Sequence, residues 1–192
     1  MSALAQTKPY LMPEEYLAFE RESIEQKHEY FEGDIFAMGG ASRRHNLISF
    51  VIAGIFYNQL GERSCEVYLN DMRVKIKESG LYTYPDIVAI CGEPQFEDQV
   101  FDTLLNPTVI IEILSKSTEN YDRGKKFEHY RLIDSLQEYL LISQEKPYIE
   151  HFQRQDNKIW TFRDYTLLEE TLTISSINVK INLEDIYAKI TF

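Results

Sequence analysis

The sequence predicts an α/β fold: a mixed β-sheet flanked by helices, with a helix and a hairpin at its N-terminal end. Three observations predict it. Helical apolar spacing occurs towards both ends of the chain, the middle is a run of short segments mostly rich in β-branched and aromatic residues, and 109–114 reads Val-Ile-Ile-Glu-Ile-Leu. A nearly continuous apolar strand is usually central and covered on both faces. Helices at both ends of a run of strands then imply one mixed sheet between helical layers.

The first element is a short helix. Pro13-Glu14-Glu15 places proline in a first turn and acids at the positive helix end, and the helix is expected to run to about Glu22. The segments 28–31 and 34–38 flank Glu32-Gly33, a two-residue turn signal, and read as a hairpin. Gly39-Gly40 breaks the second strand, and Ser42 caps the next helix. There Leu47, Ile48, Val51, Ile52, Ile55 and Phe56 recur at helical spacing until Gly61.

From residue 66 the period changes to that of strands, at 66–69, 72–77 and 86–90. Gly92-Glu93-Pro94 ends the third, an acidic loop with Glu97, Asp98 and Asp102 follows, and 109–114 is the next strand. A helix is expected over 119–133, capped by Ser117 or Thr118. The segment 138–142 is a further strand, and 148–154 with 158–164 form a hairpin around Asp156-Asn157. The segment 173–181 contains a last strand, and 183–190 a terminal helix. Residues 1–9 are expected to be a flexible terminus and 10–192 a single domain.

The 192 residues, 44% hydrophobic and 13% aromatic, suffice for a sizeable core and exclude disorder. No apolar run approaches the roughly 20 residues that span a bilayer, and residues 1–9 lack a signal peptide's basic and apolar regions. A cytoplasmic protein without a membrane partner is the expectation. Cys65 and Cys91 have no metal-ligand spacing and are expected to be reduced. With 20 Lys+Arg against 31 Asp+Glu, the net charge of -11 argues against tight, non-specific DNA binding.

Glu112 is the anomaly. A carboxylate inside an apolar strand costs several kcal/mol unless it is paired, protonated or metal-bound. One solution is a salt bridge to a basic residue on a covering helix. The other involves Asp86, which follows Pro85 at the head of Asp-Ile-Val-Ala-Ile. Alternation puts Asp86, Val88 and Ile90 on one face of their strand and Ile110, Glu112 and Leu114 on one face of theirs. On neighbouring strands the two carboxylates converge, and hard oxygen ligands suit Mg²⁺. In the next helix Asp122, Lys126 and Tyr130 share a face at i, i+4 and i+8. Lys126 can reach the carboxylates and stabilise charge on a phosphate, or it forms a solvated surface pair with Asp122. Glu29 is a further candidate ligand, and His45 a further polar candidate.

These residues sit in segments that resemble the Uma2 (DUF820) family of restriction-endonuclease-like proteins over about residues 10–190. The segments are 10–17 (Tyr-Leu-Met-Pro-Glu-Glu-Tyr-Leu), 28–35 (His-Glu-Tyr-Phe-Glu-Gly-Asp-Ile), His45, 84–88 (Tyr-Pro-Asp-Ile-Val), 107–118, 121–130 and 136–142. The resemblance implies a PD-(D/E)xK nuclease domain with Asp86 and Glu112 as the two motif acids. It further implies Glu29 as the N-terminal acid, Lys126 as the helical lysine, and Mg²⁺ as cofactor with Mn²⁺ as substitute. The motif expects lysine two residues after its second acid, where this chain has Leu114. Lys126 is taken as the displaced lysine. Lys125 would project about 100° away, and Lys75 and Lys116 are weaker substitutes.

Two main functions are therefore expected in competition. In the first, metal-bound water at Asp86, Glu112 and Glu29 hydrolyses nucleic acid, DNA foremost, with Lys126 stabilising charge, and the chain works as a homodimer. In the second, the domain is a catalytically inactive module that binds nucleic acid or protein, with Glu112 salt-bridged to Lys126. A metal-dependent hydrolase acting on a small phosphate ester is a third, lesser alternative.

Overall fold

The computed structural model describes residues 10–192, so the expected loose terminus at 1–9 lies outside the described residues. Helix α1 (Pro13–Glu22) opens as its sequence directs, with Pro13 in the first turn and the Glu15 carboxylate accepting from the Met12 amide at 2.8 Å. Strands β1 (His28–Phe31) and β2 (Asp34–Ala37) form the expected hairpin. Its two turn residues, Glu32 and Gly33, have φ of 49° and 86°, the left-handed pair that a tight hairpin requires. A methyl group on Gly33 would lie 2.4 Å from the Tyr10 ring, so glycine is needed there for space as well.

Helix α2 (Arg43–Leu60) is capped by Ser42, whose hydroxyl accepts from the His45 amide at 3.0 Å. Ile48, Ile52, Phe56 and Leu60 form its buried stripe. Each such side chain contributes about 1.5–3 kcal/mol on burial. The central strands are β3 (Cys65–Leu69), β4 (Arg73–Ile76), β5 (Leu81–Thr83), β6 (Ile87–Cys91), β7 (Thr103–Leu104) and β8 (Val109–Leu114). Next come α3 (Glu119–Tyr121), a wide π turn (Asp122–Lys126) and α4 (Phe127–Tyr130), then β9 (Glu138–Ser143), β10 (Ile149–Arg154) and β11 (Trp160–Tyr165). The hairpin β12 (Thr171–Ile174) and β13 (Val179–Asn182) leads into α5 (Leu183–Tyr187).

The fold is the mixed α/β arrangement expected, with flanking helices and an N-terminal helix and hairpin, but the strands divide further. A six-stranded sheet runs β11-β10-β9-β8-β6-β3, a five-stranded sheet runs β2-β1-β5-β4-β7, and β12-β13 stand apart. In the large sheet β8 and β9 are parallel and the other pairs antiparallel. The single last strand expected over 173–181 is two, because the chain turns back at Asn178, whose φ is 49°.

One face of the six-stranded sheet packs against α2, α5 and the β12–β13 hairpin through Ile52, Phe56, Ile111, Ile113, Leu172 and Ile186. The opposite face meets the five-stranded sheet and the 119–130 helical run through Val74, Leu81, Val88, Ile110, Leu114 and Tyr130. Alternation along β8 therefore delivers Glu112 into the layer between the two sheets.

The two cysteines correct the expectation of reduced thiols: Cys65 and Cys91 are joined as a disulfide. The β3–β6 register sets them directly opposite one another, a pairing invisible at a sequence separation of 26. Among the described residues, no helix is long and apolar enough to cross a membrane.

Candidate functional site

The site forms where β6, β8, β1, β5 and the π turn converge. Extending the β6–β8 register by one residue puts Asp86 opposite Glu112, as the expected convergence requires. The Asp86 amide lies 3.4 Å from Glu112 Oε2, and Asp86 Oδ2 accepts from the Ile113 amide at 2.7 Å. Asp86 Oδ1 lies 3.0 Å from His45 Nε2, so α2 contributes through the histidine in its first turn.

Glu112 is 3% exposed. Its Oε1 accepts from the Tyr130 hydroxyl at 2.8 Å and lies 2.9 Å from Lys126 Nζ. Burial pushes the Glu112 carboxyl up to about 8, against the pull of Lys126 and with the push of Asp86 and Asp122. The same ammonium lies 3.3 Å from Glu29 and 3.7 Å from Asp122. Burial pulls the lysine's pKa down, but Glu112, Glu29 and Asp122 together hold it well above the usual ammonium range. Asp122 is raised by its own burial despite Lys126.

Lys126 thus sits beneath its helix, 6% exposed, rather than in a solvated pair with Asp122. Both lie on the π turn, as its first and last residues. One turn widened to an i→i+5 pattern re-aims the side chains that follow it, and such turns recur at functional sites. Glu29 comes from β1, where Thr83 on β5 donates to its carboxylate.

The structure brings Asp86, Glu112, Glu29 and Lys126 together, with His45 behind Asp86. Thr83 and Tyr130 complete the polar shell. Tyr130 was legible only as a residue on the lysine's helical face, and nothing in the sequence marked Thr83. Leu114, at the motif's lysine position, is a core residue 3% exposed. The other lysines serve elsewhere: Lys75 pairs with Glu97, and Lys116 lies 3.5 Å from Glu145.

The side chains as arranged do not fit Mg²⁺. Glu112 Oε1 is held by Lys126 and Tyr130, and both Asp86 oxygens are engaged by His45 and the Ile113 amide. Among the described residues, no group of three or more His, Cys, Asp or Glu is disposed to hold a metal ion.

The family described as "Uma2: Putative restriction endonuclease" matches residues 13–184. The "Uncharacterized protein slr1290" of Synechocystis sp. is 37% identical over 184 residues, covering 96% of this chain and 95% of its own. A second Synechocystis protein, "Uncharacterized protein sll1609", is 39% identical over 160 residues, covering 83% of this chain and 89% of its own. Among solved structures, "a putative nuclease belonging to DUF820" from Anabaena variabilis superposes with a TM-score of 0.73 at 17% identity. That match covers 91% of this chain and 96% of the other, and at such identity it establishes a shared fold.

Proposed function

The chain belongs to the Uma2 family, and on that premise we propose that it is a nuclease-fold module that binds nucleic acid and is catalytically silent as arranged. The observation that carries this reading is the 2.9 Å pair between Lys126 and Glu112. The ammonium lies among Glu112, Glu29 and Asp122 and supplies the positive charge that a bound cation would otherwise bring. Nucleic acid as the partner rests on fold-level analogy to proteins described as nucleases.

Mg²⁺-dependent hydrolysis of DNA is the second reading, and one observation favours it. Glu112, Glu29, Asp122 and Asp86 outnumber the single lysine among them, and Glu112 stays raised to about 8 despite that lysine. In that reading Asp86, Glu112 and Glu29 are the ligands, with Mn²⁺ as substitute, and Lys126 leaves the carboxylates to stabilise charge on the phosphate. It requires the cluster to open.

Calorimetric titration with Mn²⁺ of the wild type, Asp86→Ala and Glu112→Ala separates the two. The first reading expects no specific binding by any of them. Wild-type binding that both variants lose overturns it in favour of the second.

Residues 10–192 are taken as one domain, with a homodimer to be tested by light scattering. A cytoplasmic place of work is opposed by the Cys65–Cys91 disulfide, since cytosolic thiols are kept reduced. Thiol alkylation during lysis, followed by mass measurement, decides between them.

A further inference from the structure

The outer face of the β10–β11 hairpin breaks the rule that exposed strand faces are polar. Its cross-strand pairs are Phe152 with Phe162 and Arg154 with Trp160. Phe162 is 56% exposed and its ring lies 5.1 Å from Phe152, which in turn lies 4.5 Å from Phe127 on α4. The Arg154 guanidinium lies 4.9 Å from the Trp160 ring centre. These rings lie on the face that carries the 119–130 helical run, hence on the same side of the sheet as Glu112. Phe127 stacks at 5.2 Å on Tyr139, which contacts Tyr130, the donor to Glu112.

The charge around these rings differs from that of the whole chain. Residues 116–163 hold 9 of the 20 basic residues but only 8 of the 31 acidic ones. Arg154 donates to the Arg131 and Ile133 carbonyls, which brings the end of α4 beside Trp160. The exposed Arg131 side chain has no ion-pair partner among the described residues, and Lys158 meets only the exposed Asp134. Half-exposed rings bordered by cations are the combination that holds unpaired bases while neutralising their phosphates. A duplex hides its base faces, whereas a single strand presents them. Arginine and lysine donate to phosphate oxygens, which single-stranded DNA and RNA share.

We propose that Phe152, Arg154, Trp160 and Phe162 form a stacking platform for the bases of a single-stranded nucleic acid, with Arg131 and Lys158 contacting its phosphates. The inference deepens the nucleic-acid reading above and rests on it.

Trp160 is the chain's only tryptophan, so its fluorescence reports the platform directly. The test titrates the full chain with a thymidine 20-mer, the matching uridine 20-mer and a DNA duplex, following anisotropy of the labelled strand and Trp160 emission. The platform predicts binding of a single strand, thymidine or uridine, in preference to the duplex, with quenching of Trp160. Phe162→Ala, at an exposed site, should melt as the wild type does and bind roughly tenfold or more weakly. Arg131→Ala should lower the slope of log affinity against log salt by about 1. Binding without quenching and unchanged by Phe162→Ala overturns the platform and leaves the nucleic-acid reading standing. A preference for duplex overturns the assignment to single strands, and the thymidine and uridine arms tell whether the strand is DNA or RNA. Binding of none of the three overturns both readings. Self-association lost in Phe162→Ala without nucleic-acid binding makes the face a protein contact and likewise overturns the proposal.

Discussion

Replacing Lys126 with methionine tests the electrostatics of the cluster most sharply. Methionine keeps the length and apolar stem of lysine but removes the ammonium that lies 2.9 Å from Glu112 and 3.3 Å from Glu29. Both carboxylates are nearly buried, Glu112 at 3% and Glu29 at 9% exposure, so neither recovers hydration when the lysine goes. Breaking a buried pair from one side costs about 3–5 kcal/mol, because the stranded charge must protonate or force the structure open. Lys126→Met should therefore lower the unfolding free energy by about 3–5 kcal/mol in urea titrations at pH 9, above the value of about 8 at which Glu112 ionises. Glu112→Gln removes the charge on the other side. The double variant should be less destabilised than the sum of the two singles by about 1.5 kcal/mol or more. A single-variant cost below about 1 kcal/mol, or additive effects, would refute the claim that Lys126 neutralises this cluster.

Other perturbations probe the surroundings. Tyr130→Phe removes the hydroxyl that donates to Glu112 at 2.8 Å and should cost about 1–2 kcal/mol in the same titrations. Reduction of the Cys65–Cys91 bridge opens a loop of 26 residues and should cost about 3.5 kcal/mol, read as a shift of the urea midpoint with and without reductant. Asp102 is held down to about 2 by its hydrogen bond to Arg21 and by the Arg73 charge. Its folded value lies below its unfolded one, so its stabilisation is present above about pH 4 and is lost as pH falls towards 2. After discounting for its partial exposure this amounts to about 1 kcal/mol. Asp102→Asn should flatten that part of the stability profile, and an unchanged profile would count against the Arg21–Asp102–Arg73 network.

Much of the site was legible because it contradicts its local pattern. Glu112 interrupts an apolar strand, and strand alternation lets it converge with Asp86 once their strands are neighbours. Lys126 was legible from helical spacing, although the π turn on which it lies was not, since a widened turn leaves no compositional mark. Helix α2 was legible from its apolar period and Ser42 cap, and the β10–β11 hairpin from its two strand-like segments. Pairing between distant strands was not, so the Asp86–Glu112 convergence was conditional on their strands being neighbours and other contacts of this kind were missed. Thr83 meets Glu29 only because β1 lies beside β5, and Cys65 meets Cys91 only because β3 lies beside β6. The strands β5 and β7, of three and two residues, are too short to show a period. They nevertheless complete the second sheet that covers the site.

The most direct measurement is cleavage of supercoiled plasmid, single-stranded DNA and RNA with Mg²⁺ or Mn²⁺, using wild type and Glu112→Ala purified side by side. An internally neutralised cluster predicts intact substrate with both proteins, including under conditions in which the wild type binds the strand. Metal-dependent cleavage by the wild type and none by Glu112→Ala would contradict it, and would make the carboxylates a working metal site.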